Sequence, residues 1–261
     1  DNCTFINNHA AGYGGALSIQ STLAATIKNC TFTNNQAERG GGAIYISPTL
    51  FKGSSYSPLP SCTILGCKFD LNNDISNKGN AIYFEFANVC TTIIKIDECE
   101  FTDNYNSEST ATSDGFTISC DSPTLNITNT KIEFTNPSFS TTGLKVEEHT
   151  ETLTIQECEL KEITENPSCI LSSNSITIDG LNINSQESTE TAIQILKSNI
   201  ISIKKLNVEG QIELAIELYN LLPTDQSLQF DISDSSFQNS GDGIKFIDSF
   251  TSIHTLNLVS T

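Results

Sequence analysis

Apolar residues return along this chain at fixed places within a unit of 23 to 37 residues, without the three-and-four spacing of a helix. Eight segments share one frame: IKNCTFTNN (27–35), ILGCKFDLNN (64–73), IDECEFTDN (96–104), ITNTKIEFTN (127–136), IQECELKEI (155–163), IDGLNIN (178–184), IKKLNVEG (203–210) and ISDSSFQNS (232–240). The first position is apolar throughout (Ile27, Ile64, Ile96, Ile127, Ile155, Ile178, Ile203, Ile232), and Leu256 begins a ninth unit. The sixth is apolar as well: Phe32, Phe69, Phe101, Ile132, Leu160, Ile183, Val208, Phe237.

A second landmark lies between these segments, running from GGALSI (14–19), GGAIYI (41–46) and GNAIYF (79–84) to DGIKFI (242–247). Each copy places a small residue before an alternating apolar pair, such as Leu17 and Ile19, Ile44 and Ile46, Ile82 and Phe84, or Phe116 and Ile118. Alternation with period two predicts short strands that bury one face. Short strands can bury those faces together only if every unit coils and stacks on the last. The spacing is too short for propeller blades and too irregular for a leucine-rich horseshoe. The expected fold is therefore all-β, a right-handed parallel β-helix (solenoid) of about nine coils. Residues 1–261 form a single array, with coils starting near 27, 64, 96, 127, 155, 178, 203, 232 and 256. Variation in length falls into turns such as FKGSSYSPLPS (51–61). The opening DNCTF already sits inside a repeat and no Met precedes it, so the chain is expected to be a segment of a longer one.

Inside the frame, Asn29, Gly66, Asn129 and Gly180 at the third position suit a left-handed backbone turn. The fifth position reads Lys68, Glu100, Lys131, Glu159, which predicts opposite charges on neighbouring rungs. Cys3, Cys30, Cys67, Cys99 and Cys158 share the fourth position and predict an interior thiol column. Side chains stacked in parallel suit disulfide torsion poorly, so this ladder is expected to be reduced. Cys62 and Cys90 precede the leading Ile of adjacent units and form the candidate disulfide of an oxidising compartment; Cys120 and Cys169 have no place in the frame.

Composition narrows the function. With 13 Lys plus Arg against 31 Asp plus Glu, the net charge of −18 repels nucleic acid and anionic lipid, leaving cations, basic proteins or neutral glycans as partners. No apolar run reaches the roughly 18 residues of a membrane span, so direct insertion of this segment is not expected. Nine cysteines and the acceptor tripeptides at Asn2, Asn29 and Asn126 favour a secreted, extracellular or cell-surface glycoprotein.

A β-helix enzyme would need clustered carboxylates joined by His, Lys or Arg on one face. Arg39 is the only arginine, and His9, His149 and His254 fall in distant coils. Asp97, Glu98, Glu100, Glu147, Glu148, Glu157 and Glu159 read as solvated strand faces. Neither catalytic nor metal-site residues are assigned. The calcium nonapeptide is missing, since GGG (40–42) runs into AIYI without an Asp; turns such as Asn72-Asn73-Asp74 keep calcium as the one cofactor class in view.

The pairing of CTFINN with GGALSI, and of CTFTNN with GGGAIYI, resembles the FxxN and GGA(I/L/V) repeats of the polymorphic membrane proteins of chlamydiae and their β-helix relatives in protists. Phe5 to Asn8, Phe32 to Asn35, Phe69 to Asn72 and Phe101 to Asn104 carry FxxN, and GGA is intact at Gly14 to Ala16 and Gly41 to Ala43. From about residue 105 only the apolar frame persists. The resemblance implies a secreted, surface-displayed right-handed β-helix used for adhesion or surface structure, and it transfers no ligand site. The expected function is a non-catalytic extracellular structural or adhesive protein, a candidate fibre or surface-coat component that associates end to end or with further chain of the same protein. The alternatives are a glycan-binding module, with Tyr45 and Tyr83 as an outward aromatic platform or as cross-strand packing, and a polysaccharide lyase or hydrolase.

Overall fold

A computed structural model describes residues 1–20, 24–47, 61–76, 78–85, 93–106, 116–121, 124–133, 142–161, 168–219, 228–247 and 253–259. Among them every regular element is a β-strand, and every strand pairing is parallel. Nineteen strands join one continuous sheet; His9–Ala10, Gln36–Ala37 and Asn73–Asp74 form a separate three-stranded strip. The chain is a parallel β-helix whose successive coils stack strand on strand, with the right-handed sense usual for parallel crossovers.

Register turns the sequence frame into columns. The leading strands align Ile27, Ile64, Ile96, Ile127, Ile155, Ile178, Ile203 and Ile232 in succession. The second strands align Phe5, Phe32, Phe69, Phe101, Ile132, Leu160, Ile183, Val208 and Phe237. Both columns are buried from the second coil through the ninth, except at Phe237, which is packed against the core at its margin. The first four Phe rings stack with centroids 4.9, 4.9 and 4.6 Å apart and planes within 4°. Such pairs add about 0.5–1.5 kcal/mol each beyond simple burial.

The corner between leading and second strands is a one-residue left-handed turn at the third position of the frame. Asn2, Asn29, Glu98, Asn129, Glu157, Lys205 and Asp234 all have φ between 48° and 54°, and Gly66 and Gly180 take 61° and 83°. The turn is thus kept even where the sequence offers Glu, Lys or Asp, at roughly 1–2 kcal/mol per non-glycine residue. A second such column, Asn7, Asn34, Leu71 and Asp103, occurs just after the Phe column in the first four coils. The third strands follow Gly-Gly-Ala. Gly41 has φ 67°, and a Cβ on Gly42 would lie 2.0 Å from the carbonyl oxygen of Asn80 and 2.6 Å from that of Asn73, so the tight third corner demands glycine.

Three sequence assignments shift. Leu258, not Leu256, stands beside Ile232, while Leu256 faces Phe230. In the fourth coil Ile118 and Cys120, not Phe116 and Ile118, align with Ile82 and Phe84. Both are two-residue slips, which an alternating pattern tolerates because inward positions stay inward. A further third strand at residues 169–171 aligns Cys169 with Leu144 and Leu171 with Val146. Cys120 and Cys169 therefore belong to the third-strand core column.

Candidate interaction surfaces

The recurring polar residues of the frame turn out to be structural. Asn8 donates to Asn35 Oδ1 through its backbone N–H (3.1 Å) and its Nδ2 (2.8 Å); Asn35 does the same to Asn72 (3.1 and 2.9 Å), and Asn72 to Asn104 (3.0 and 2.9 Å). Each amide from Asn35 onward also donates to the carbonyl of the Phe one coil back, at 2.9–3.1 Å. The asparagine of FxxN is the rung of an amide ladder that is buried from Asn35 onward. Its fixed spacing three residues after Phe was the available signal.

The fourth-position thiols do a second structural job. Cys30, Cys67, Cys99 and Cys158 donate to the carbonyl two residues earlier at 3.2–3.4 Å, as do the hydroxyls of Thr130 (2.9 Å) and Ser235 (2.8 Å). Residue choice in this column is thus a small side chain with a donor that serves the carbonyl beside the left-handed turn. Cys3, Cys30, Cys67, Cys99 and Cys158 are all free, and only Cys3 is exposed. Burial pushes Cys158 up to about 11; a hydrogen bond with Cys67, reinforced by burial, raises Cys99. Cys62 is also free and buried between Ala25 and Ile94, and burial raises it to about 12. Its suggested partner Cys90 lies outside the described residues.

Tyr45 and Tyr83 stand opposite the core side of their strands, yet they are only 4% and 9% exposed. This corrects the aromatic platform. Tyr45 stacks on Tyr13 at 4.3 Å, lies 5.7 Å from Tyr83, and donates its hydroxyl to Glu85; Lys78 sits over the Tyr83 ring. Desolvation, then the Glu85 contact, raises the Tyr45 phenol, which favours it as a neutral packing group.

Carboxylates are tied down in the same way. Partial burial pulls Asp97 up, but Thr128 (2.6 Å), Lys95 (2.9 Å) and Asn129 (3.0 Å) outweigh it and hold the group below its usual range. Lys205 lies 3.9 Å from Glu157 and 3.5 Å from Asp179, while Glu98 occupies a turn. His9 contacts Glu38 at 3.4 Å; the side chains of Glu147, Glu148, His149 and His254 lie outside the described residues. In Asn72-Asn73-Asp74, Asn72 belongs to the ladder, and the buried Asp74 carboxylate receives the Ser76 N–H (3.1 Å), the Ser76 hydroxyl (3.0 Å) and the Lys78 N–H (2.5 Å). Its lone pairs already face donors, an arrangement that does not suit calcium. Among the described residues no three or more His, Cys, Asp or Glu gather as a metal site.

Two outward faces remain. That of the second strands is charged: Lys68 pairs with Glu100 across rungs at 2.7 Å, and Glu100 stands beside Lys131. Farther along, Lys131 binds Glu133 (2.5 Å) and Lys161 binds Glu159 (3.0 Å), and register sets these pairs in a checkerboard. The face of the leading strands is mostly Thr, Ser, Asn and Gln between Lys95 and Lys204. Of the acceptor asparagines, Asn2 and Asn29 are exposed at the left-handed corner, and Asn126 is half-buried on the leading-strand face.

Residues 2–20 and 29–47 match the family described as the Chlamydia polymorphic membrane protein (Chlamydia_PMP) repeat. These are the coils in which FxxN and Gly-Gly-Ala are both intact. No curated protein and no solved structure gives a significant match.

Proposed function

We propose that the chain is a non-catalytic, surface-displayed adhesive or structural rod that works through its outward faces. The observation that supports this reading most is the structural use already made of the recurring Ile, Phe, Asn, Cys and Gly of the frame. Phe and Ile fill the core, Asn and Cys satisfy buried carbonyls, and Gly makes corners, so coils can be added or varied without disturbing any site. The repeat match in the first two coils supports localisation at the cell surface, and end-to-end association would cover the strand edges of such a rod.

The test has two arms. Antibodies against the chain applied to intact source cells are expected to label the surface, and the purified chain is expected to release no reducing ends from acidic or neutral polysaccharides. Label confined to permeabilised cells, or turnover lost on substituting a single carboxylate, would refute the reading.

A further inference from the structure

We propose that the outward face of the leading strands binds a neutral polysaccharide laid in extended form along the axis of the coils; this rests on the adhesive reading above. Register sets Thr124, Thr152 and Ser175 in one column and Asn126, Thr154 and Thr177 in the next. All six are exposed or half-buried, while the residues alternating with them, such as Leu125, Leu153 and Ile176, are buried. The result is a flat array with a repeat of about 4.8 Å between rungs and about 6.7 Å along each strand.

Three properties of the array point to the ligand. The block carries no ionisable side chain, although the chain as a whole bears a net charge of −18. The nearest charges on the fourth coil, Lys95 beside Asn126 and Asp97 beside Thr128, are paired with each other at 2.9 Å, so the patch offers an ionic partner little while the net charge repels polyanions. Among the described residues, the hydroxyls of Thr152, Thr154, Ser175 and Thr177 have no protein partner and remain available to bond a ligand rich in hydroxyls. Two of the three large apolar side chains that are most exposed, Ile93 (49%) and Ile200 (44%), flank the block in the Thr124 column. They stand about 19 Å apart, four rungs of about 4.8 Å, and can meet the C–H faces of sugars at either end. An extended polysaccharide whose sugars recur at roughly 5 Å, close to the rung spacing, would bring each new ring over a new coil.

Depletion isotherms of the 261-residue chain on insoluble cellulose, chitin and β-1,3-glucan, with pectate as the acidic comparator, test this. Saturable binding to at least one neutral polymer and none to pectate is expected. The T154V/T177V pair keeps the strand and removes two hydroxyls; affinity should fall about threefold to tenfold. T154K/T177K should weaken binding by more than tenfold, and Glu100→Gln on the charged face should leave it unchanged. The proposal is overturned by failure to bind every neutral polymer, by undiminished binding of T154V/T177V, or by a glycan found on Asn126 of the native protein, since that would cover the face. Surface labelling of source cells alongside any of these results would sink this proposal alone. Absence of surface labelling would sink the adhesive reading on which it rests.

Discussion

The first four coils and the later ones enclose similar cores by different means. Up to Asn104 each coil carries an aromatic stack, an amide ladder and two left-handed corners, and a short third-corner strip runs beside the main sheet through Asn73–Asp74. From Thr142 onward the described residues show few of these devices. Strands run on as Thr142–Lys161, Cys169–Leu196 and Ile200–Tyr219, and the chain bends at register shifts between Val146 and Thr150, Ser185 and Thr189, and Glu209 and Ile212. Unit length shrinks from 37 to 23 residues between the first and fifth repeats. FxxN with Gly-Gly-Ala therefore encodes an extra corner rather than the coil itself. A leading Ile, one left-handed residue and an apolar sixth position suffice to stack a coil.

The sharpest way to break this comparison is to remove an early ring and a later aliphatic at the same column. Phe69→Ala takes a fully buried ring from the middle of the stack and should lower stability by about 3–5 kcal/mol. Ile183→Val, in the equivalent place, should lower it by about 0.5–1.5 kcal/mol. Hydrogen exchange is the preferred readout, since a repeat array can open coil by coil. A protection loss at Phe69→Ala no larger than that at Ile183→Val would refute the larger role assigned to the aromatic column.

Next in size is the amide ladder. Asn72→Ala leaves Asn35 without its acceptor and the Phe32 carbonyl without its donor, both buried, for a loss of about 2–4 kcal/mol. Protection should fall first at Asn35 and Asn104, on either side of the change. Amides beyond Thr142 should keep theirs, because distant coils touch only through their neighbours.

Much of this was legible beforehand. The Ile and Phe columns, the thiol column and the left-handed third position follow from spacing and residue type, because coils stack in register and every column repeats its chemistry. What escaped has two physical origins. A two-residue slip leaves inward residues inward, so Leu256 and Phe116 were misplaced with no contradiction in the pattern. Alternation also reports which side of a strand a residue occupies but not what covers it, so Tyr45 and Tyr83 looked exposed. The hydroxyl face was hidden for a related reason: its columns are defined only once register aligns Thr152 with Ser175 and Thr154 with Thr177.

The thiol column gives a smaller effect with a defined sign in pH. Buried Cys158 and Cys62 bind their protons more tightly in the folded chain, at about 11 and about 12 against 9.0. Their contribution to stability is therefore complete below about pH 9 and is lost as pH rises through the folded values. Urea midpoints measured from pH 7 to 11 should fall above pH 9, and Cys158→Ser should flatten part of that fall while keeping the donor to Gln156. Cys158→Val, of similar size without a strong donor, should be less stable than Cys158→Ser at neutral pH by about 0.5–1.5 kcal/mol. The reverse order would make the column a matter of apolar packing alone.

The smallest expected effect concerns the charged face, and it separates ladders that fix register from those that only decorate it. Lys68 and Glu100 meet at 2.7 Å, but their side chains are 64% and 56% exposed, so water and salt screen the pair. A double-mutant cycle with Lys68→Gln and Glu100→Gln should give a coupling of about 0.2–1 kcal/mol that shrinks as salt is raised. Lys131 is bound within its own strand by Glu133 as well as standing beside Glu100 and Glu159. Lys131→Gln should therefore change stability by no more than Lys68→Gln does, although it removes the charge at the centre of the run. A coupling well above 1 kcal/mol that survives high salt would place the charge ladder alongside Phe and Asn as a determinant of coil register.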